Sequence, residues 1–446
     1  MRIRPLATSA AFALAHACSG QDVDLSVSEI PSIALMGHES GIMAYSVGVS
    51  VCNQGPADAA WQGMTNQHPL WGCGLYRLAN GRLEQVGVSW LRHASLALAG
   101  SGCGPCNGQD GSVLGAGCMD STSAATNGQQ TILGPRFEVN AATGAFPYPF
   151  SNPGGPTGNA IFKRCQVSIA DASDTEALYF MEVHVVHPGE SPATRTNNAS
   201  YRRVTFTPAT LFPSLVGQAS QRTPAVHAWR DHGLGPDQPD QAVQISPIDV
   251  PDDGRFLIAS RAFDAGGSWW RYEFAVENLN SDRAGASFRV PIPAGAAIRS
   301  PGFHDVAYHS GEPFDGTDWT FSLDSNATWT AAHTFDQLPT ANALRWGTTY
   351  SFRFECNAPP RNSTSSLTLF KPGSPSVISA PIVGPGCDPD VNCDGSVNGF
   401  DIQATEEAVN GDFANFCQSS ADLNSDGSEN GFDIETEEQR VNGAPC

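Results

Sequence analysis

Positive charge is scarce in this 446-residue chain, where 24 Lys and Arg stand against 45 Asp and Glu for a formal net charge of −21 at pH 7. A deficit of that size removes the basic footprint that nucleic acid requires, which excludes nucleic acid as a partner. Long apolar runs are missing too. Beyond the N-terminal segment nothing approaches the roughly 18 apolar residues of a membrane-spanning helix. The sequence has no G-x-S-x-G elbow, no H-E-x-x-H and no P-loop, so acyl-transfer, zincin and nucleotide chemistry lack their usual motifs. No catalytic residue is assigned. Charge of either sign is thin, at 15% of residues, whereas Gly (45) and Pro (32) are plentiful. That balance describes a turn-rich extracellular β protein.

The N-terminus reads as an export signal. Met1-Arg2-Ile3-Arg4 is followed by a small-apolar run from Pro5 to Leu14 and by Ala15-His16-Ala17, the layout of a secretory signal peptide over residues 1–17 with an A-x-A cleavage site. Cys18 follows that site, so a lipid-anchored form is the alternative, against a poor lipobox. An exported chain with 12 cysteines is expected to form disulfides. Cys52, Cys73, Cys103, Cys106, Cys118 and Cys165 suffice for three bridges in the first third, and Cys387, Cys393, Cys417 and Cys446 lie near the C-terminus. In the alternating run Met43–Val51 the apolar face is Met43, Tyr45, Val47, Val49 and Val51. Cys52 ends the other face, with Ser46, Gly48 and Ser50, a position that favours a bridge. Cys356 shares an apolar strand face with Tyr350, Phe352 and Phe354, so it is predicted to be a buried free thiol.

What the chain does have is a duplication. Residues 390–401 and 422–433 each place oxygen side chains at positions 1, 3, 5, 9 and 12 around a glycine at position 6, the arrangement with which one short loop wraps a hard cation. Calcium is the implied metal. The copies start 32 residues apart, and residues 390–411 agree with 422–443 at 14 of 22 positions. Asn410-Gly411 and Asn442-Gly443 suit left-handed C-terminal caps, so helices are predicted from about Asp401 to Val409 and from about Asp433 to Val441. Residues 387–446 hold fourteen Asp and Glu against Arg440 alone, a net of −13 and more than half of the chain's negative excess.

On these residues the segment 387–446 resembles a dockerin module, the paired calcium-loop domain of secreted polysaccharide-degrading assemblies. The resemblance implies two calcium ions. One would be held by Asp390, Asn392, Asp394, Asn398 and Asp401 with the carbonyl of Ser396, the other by Asp422, Asn424, Asp426, Asn430 and Asp433 with the carbonyl of Ser428. It also implies attachment to a cohesin-like or other surface protein through residues 387–446. Two departures stand out. Dockerins of such assemblies often carry hydroxyls just before the last ligand, whereas both copies here have Gly-Phe (Gly399-Phe400 and Gly431-Phe432). Position 8, normally apolar, is Val397 in the first copy and Glu429 in the second. The alternative to docking is that the ions merely staple a module too small to hold itself together. Phrases such as Asn342–Gly347 and Leu369–Gly373 resemble secreted bacterial proteins that also end in dockerin-like repeats, which supplies no activity.

The remaining body divides by pattern. Residues 21–225 read as a disulfide-rich β unit with short alternating strands such as Met43–Val51, Gly74–Leu78 and Leu178–Val186. Gln218–Gln241 reads as a boundary, with Arg222-Thr223-Pro224 and Gly233-Leu234-Gly235-Pro236. Residues 242–370 alternate cleanly at Trp270–Val276, Phe288–Ile292, Trp319–Leu323 and Tyr350–Cys356, which predicts an antiparallel sandwich. The stretch 371–386, with Pro372, Pro375, Pro381 and Pro385 among Gly and Ser, is predicted to be a semi-rigid linker. The fold class is therefore mainly β: two antiparallel sandwich-like units followed by a small α-helical module.

Within the body each candidate site has a plainer reading. Cys103-Gly104-Pro105-Cys106 matches a redox C-x-x-C by letters, but its glycine-rich setting favours a structural staple. Glu182 and His184 share a strand face and His187 points the other way, so the trio does not converge on one metal. His227, Asp231 and His232, and His304, Asp305 and His309, fall in apparent loops and read as solvated or hydrogen-bonded. Trp270 and Trp319 fit a core, leaving Trp269 as the more exposed candidate for a sugar platform. The preferred function is an exported calcium-binding protein whose module attaches or assembles it at the cell surface or in an extracellular complex, with carbohydrate as a further ligand class. The alternative is a secreted hydrolase acting on polysaccharide, suggested only by the company dockerins keep.

Overall fold

Alternation of apolar and polar residues builds most of the chain into antiparallel strands. The computed structural model describes residues 22–107, 110–293, 295–418, 420–424 and 426–444. The signal-peptide reading, Cys18 and Cys446 lie outside the described residues. In the first unit one sheet runs in the order Pro213–Ser220, Ala199–Phe206, Leu178–Val186, Leu70–Ala79, Arg82–Val88, Cys165–Ser168, Ile42–Val47, Ile33–Glu39. A three-stranded sheet, Leu25–Glu29, Val49–Asn53 and Met119–Thr122, faces it across one shared core.

The run Met43–Val51, a single strand by pattern, is split between these two sheets. At Gly48 the chain leaves the large sheet and enters the small one. A Cβ there would stand 2.8 Å from the Thr122 carbonyl oxygen and closer still to Ser32 Oγ, so the crossing leaves no room for a side chain. The alternation survives the crossing, and Met43, Tyr45, Val47, Val49 and Val51 all enter the core. Cys52 is bridged to Cys103, as its face predicts. Gly48→Val is expected to lower stability by about 2 kcal/mol or more through forced backbone displacement, read as a drop in thermal midpoint; an unchanged midpoint would contradict the close approach.

The second unit is a sandwich of two five-stranded sheets. One is ordered Gln244–Asp249, Arg255–Gly266, Trp269–Asn278, Thr348–Cys356, Ile298–His304, and the other Thr320–Leu323, Asn326–Thr330, Gly285–Pro291, Pro360–Leu369, Val377–Pro385. Rings from both sheets interlock between them, Phe288 lying 4.8 Å from Phe352 and 5.5 Å from Phe274. Cys356 is buried there as a free thiol.

The predicted linker 371–386 is not one. Val377–Pro385 is an edge strand paired to Pro360–Leu369, from Thr368 opposite Val377 to Pro360 opposite Pro385. Ile378, Ala380 and Ile382 alternate into the core, a period-2 signal that the prolines obscured. Pro381 is tolerated because an edge position needs no amide donor on its open side.

The stretch Gln218–Gln241 is likewise more than a boundary. It contains the helix His227–His232, and Ala225, Val226, Ala228 and Trp229 are buried with Tyr76, Phe180 and Tyr201 of the first unit and Leu257, Ala259 and Ala275 of the second. The two sandwiches are fused through this wedge and through the hairpin Leu70–Ala79/Arg82–Val88. Arg82 donates Nε and Nη2 to Glu273 at 2.8 and 2.7 Å, Ser351 Oγ donates to the Leu83 carbonyl at 2.7 Å, and Thr349 N donates to Gln85 Oε1 at 2.8 Å. This contact explains why Glu273 and Glu277, on the polar face of Trp269–Asn278, are buried.

The C-terminal module contributes two helices, Gly399–Val409 and Gly431–Val441. Both end as Asn-Gly predicts. Gly411 and Gly443 adopt φ of 91° and 89°, and the amides of Gly411 and Asp412 reach the carbonyls of Ala408 and Glu407 at 2.8 and 2.9 Å. The second copy repeats this pair with Gly443 to Arg440 and Ala444 to Gln439, both at 2.9 Å, a Schellman closure in each case.

Candidate functional site

The twin loops are built by the same hydrogen bonds. In the first, the Asp390 carboxylate accepts from the amides of Asp394 (3.1 Å) and Gly395 (3.0 Å), Asn392 Oδ1 accepts from Asp394 N (2.9 Å), and Asp394 Oδ1 accepts from Ser396 N (2.8 Å). In the second, Asp422 accepts from Asp426 (3.0 Å) and Gly427 (2.9 Å), Asn424 Oδ1 from Asp426 N (2.9 Å), and Asp426 Oδ1 from Ser428 N (2.9 Å). Position 6 must be glycine for a backbone reason: Gly395 and Gly427 sit at φ 87° and 86°, with nothing near a hypothetical Cβ. Only glycine takes that left-handed turn without strain.

The last ligand position closes each loop onto its helix. Asp401 accepts from Asn392 N (3.3 Å) and Asn398 N (2.8 Å), and Asp433 from Asn424 N (3.0 Å) and Asn430 N (2.8 Å). Both aspartates are fully buried. Asn398 and Asn430 cap the helices by accepting from Phe400 N and Phe432 N at 2.9 Å. Their Nδ2 groups reach the carbonyls of Ser396 and Ser428 at 3.2 and 3.0 Å. Positions 9 and 12 are therefore capping-box residues as well as candidate ligands, and one set of donors organises loop and helix start together.

This donor set fits a hard cation. Three carboxylates, two side-chain amides and one main-chain carbonyl per loop are all oxygen donors, with no sulfur or imidazole, which suits calcium rather than zinc or copper. Among the described residues nothing cationic neutralises the three carboxylates of the first loop; in the second copy Arg440 turns its Nη2 to the Leu423 carbonyl at 2.6 Å instead. Burial pushes the neighbouring Glu437 carboxyl up to about 7.

A mainly antiparallel β protein ending in a two-helix, twin-loop module of the calcium type is the class these features define. The module is dockerin-like: the dockerin type I domain family matches residues 388–442. Dockerin type I domains generally bind calcium, dockerin domains bind cohesins, and such modules occur in extracellular or cell-surface proteins. No curated protein matches the chain. Among solved structures, the chain is similar to a serine-rich repeat adhesion glycoprotein of Streptococcus agalactiae at 10% identity, covering 83% of this chain and 100% of that one with a TM-score of 0.20. The BSP domain of a biofilm-associated protein is similar at 8% identity, covering 84% of this chain and 61% of that one with a TM-score of 0.14. Likeness that low carries no argument about either fold or activity. Among the described residues no helix is long and apolar enough to cross a membrane.

In the body the structure takes the candidate sites apart. Cys103 bonds to Cys52 and Cys106 to Cys118, so the C-x-x-C pair is a double staple. Cys73 and Cys165 are buried thiols, which leaves two bridges rather than three among the six early cysteines. Glu182 Oε2 accepts from Ala225 N at 2.6 Å, His184 packs edge-on against Trp346 at 5.9 Å, and His187 Nε2 bonds to the Ala60 carbonyl at 2.8 Å. His227 and His232 lie on the seam helix rather than in a loop; Asp231 accepts from Tyr201 OH at 2.7 Å, and His232 Nδ1 from Asp237 N at 2.9 Å. His304 and His309 bond to the carbonyls of Gln85 (3.0 Å) and Val88 (2.8 Å), and Asp305 accepts from Asn342. Trp319 is buried, and the Arg299 guanidinium lies 4.0 Å above the Trp269 ring, occupying the face a sugar would use.

The partner of Glu182 that sequence reasoning missed is Glu277; the two carboxyls face each other in the seam, 3% and 1% exposed. Burial raises both carboxyls, Glu182 to about 7 and Glu277 well above the ordinary range; Glu182 raises Glu277 further, whereas the hydrogen bond from Glu277 lowers Glu182. They are sealed from solvent and open onto no cleft.

Proposed function

We propose that this is an exported protein whose C-terminal module takes up two calcium ions and, in that form, attaches the β body to a partner at the cell surface or in an extracellular complex. Asp390, Asn392, Asp394, Asn398 and Asp401, with the Ser396 carbonyl, would hold one ion. Asp422, Asn424, Asp426, Asn430 and Asp433, with the Ser428 carbonyl, would hold the other. The cation would supply the positive charge that each cluster of three carboxylates lacks, fixing loop and helix start as a unit. The observation that carries the reading is the repetition of the whole ligand cradle, bond for bond, in both copies.

The surface each copy offers to a partner is its Gly-Phe pair. Phe400 and Phe432 are 65% and 66% exposed on the first helical turn, and solvent-facing aromatic rings of this size are typical anchors of protein interfaces. They would replace the hydroxyl contacts of other dockerins with apolar ones.

A calcium titration of the full chain is expected to give two ions per molecule, reduced to one by Asp390→Ala or by Asp422→Ala. Capture of a purified cohesin, or of a partner from the native surface fraction, is expected to require calcium. It should also fall at least tenfold when Phe400→Ser and Phe432→Ser are combined, with calcium stoichiometry unchanged. A chain that takes up no calcium would sink the reading; capture indifferent to calcium would sink the attachment role alone. The hydrolase alternative has no comparable support, and the carboxyl pair Glu182 and Glu277 is sealed in the seam.

A further inference from the structure

The two loops are alike in their ligands and unlike in what holds them. Resting on the calcium reading above, we infer that residues 390–401 form a covalently preorganised site that fills first, and residues 422–433 a weaker site that fills second. Cys393 lies between the ligands Asn392 and Asp394 and is bridged to Cys417, with Cα atoms 6.1 Å apart. It holds a left-handed φ of 59°, a conformation that a non-glycine residue adopts only when its surroundings impose it. On the far side of the bridge Cys417 N donates to the Val391 carbonyl at 2.8 Å, and Phe416 is buried with Val391, Ala404 and Ala408. The first ligand segment is thus pinned covalently, by a main-chain bond and by the module core.

The second loop shares the module core through Leu423, whose carbonyl accepts from Arg440 Nη2 at 2.6 Å, but it has no bridge within its span. It contains no cysteine, and Ser425 stands where the first has Cys393. Position 8 is exposed in both copies, and in the second Glu429 Oε1 accepts from Ser420 Oγ at 2.7 Å and Ala421 N at 2.9 Å, a polar contact to the segment before the loop. The helix after it buries only Asp433 and Glu437, whereas the first helix buries Ala404, Thr405 and Ala408 besides Asp401. Ligand charge does not separate the sites, because each has three aspartates. Ordering does. A loop that must be organised at the moment of binding loses affinity by the cost of that ordering, and a crosslink between residues 24 apart removes part of that cost beforehand by restricting the unliganded chain.

Isothermal calcium titration of the full chain tests this with calcium alone as the probe. Two steps at least tenfold apart are expected, the tighter one lost in Asp390→Ala and the weaker one in Asp422→Ala. Combining Cys393→Ser with Cys417→Ser should weaken the tighter step about tenfold and leave the other in place. Two equal steps, loss of the tighter step in Asp422→Ala, or a double-serine variant with wild-type affinities would overturn the inference while leaving the calcium reading intact. No uptake by the parent chain would overturn both. Because the aspartate variants keep the bridge, the site order is read even if the serine variant fails to fold.

Discussion

Arg82→Ala is expected to destabilise the body by about 3 kcal/mol, the loss typical of a buried ion pair stripped of one partner. Glu273 is fully buried in the seam and is held by two bonds from Arg82, at 2.8 and 2.7 Å, with Arg271 Nε at 3.2 Å as its other cation. Removing Arg82 leaves a desolvated carboxylate with half of its compensation. The cost arises from the stranded charge rather than from the lost attraction, so Arg82→Met combined with Glu273→Leu should restore most of the stability. Chemical denaturation of the three proteins decides the matter. A single variant within about 1 kcal/mol of the parent would mean that the pair behaves as a surface contact and that the sandwiches are not held together through it.

The second large effect concerns proton uptake in the same seam. Glu182 and Glu277 keep their protons in the folded chain, Glu182 up to about pH 7 and Glu277 to higher pH, while the unfolded chain releases both near the ordinary glutamate value of about 4.3. The folded state therefore binds more protons than the unfolded state above that value. The pair's contribution is fully present below about pH 4.3 and is lost as the pH rises through 7. For Glu182 the loss develops between the ordinary value and its raised value of about 7 and is complete by about pH 8. Replacing both carboxyls, Glu182→Gln with Glu277→Gln, should leave stability at pH 4 little changed and raise it at pH 8, because a neutral amide still accepts the Ala225 amide. Denaturant midpoints measured from pH 4 to 9 should show the variant and parent curves diverging upward. Parallel curves would refute a protonated pair. Other groups titrate in the same range, Glu190 being raised to about 8 and Glu312 to about 7, so the difference between the curves carries the information.

Local pattern made much of this protein legible. The strand Leu178–Val186 has the bounds its pattern gives, although both its faces are buried, Cys52 and Cys356 meet the fates their faces predict, and the loops and helix stops of the module follow from spacing around Gly395 and Gly427. What pattern could not reveal lies where separate elements meet. Nothing local distinguishes Gly48 as a crossing between sheets, since its neighbours alternate straight through it. Glu273 and Glu277 occupy formally polar positions and are buried by distant elements, Glu273 by the hairpin whose Arg82 lies 191 residues earlier and Glu277 by Glu182 and the Val226 backbone. Trp229 sat among Gly and Pro signals, yet the short apolar cluster Ala225–Trp229 was enough to wedge two sandwiches together. The edge strand Val377–Pro385 had its alternation in plain view, and proline count was the wrong criterion against it. In the candidate site, the expected ligand positions were read from spacing, while the capping role of Asn398 and Asp401 and the partner of Cys393 lay in contacts that spacing does not carry.

That edge strand also fixes how freely the module can search for a partner. A flexible 16-residue tether would let it roam roughly 20 Å from the body. Only Gly386 and Cys387 separate the strand end at Pro385 from the start of the family match at residue 388, a span of at most about 7 Å. Even that is constrained, since Gly386 N bonds to the Pro359 carbonyl at 2.9 Å and Arg361 is ion-paired with Asp388. The calcium loops are thus carried as a shoulder of the second sandwich. In the attachment proposed above, a partner engaging Phe400 or Phe432 would have to leave room for the bulk beside them, so the β body would act as a steric filter on which surfaces can be approached and in which orientation the protein is displayed.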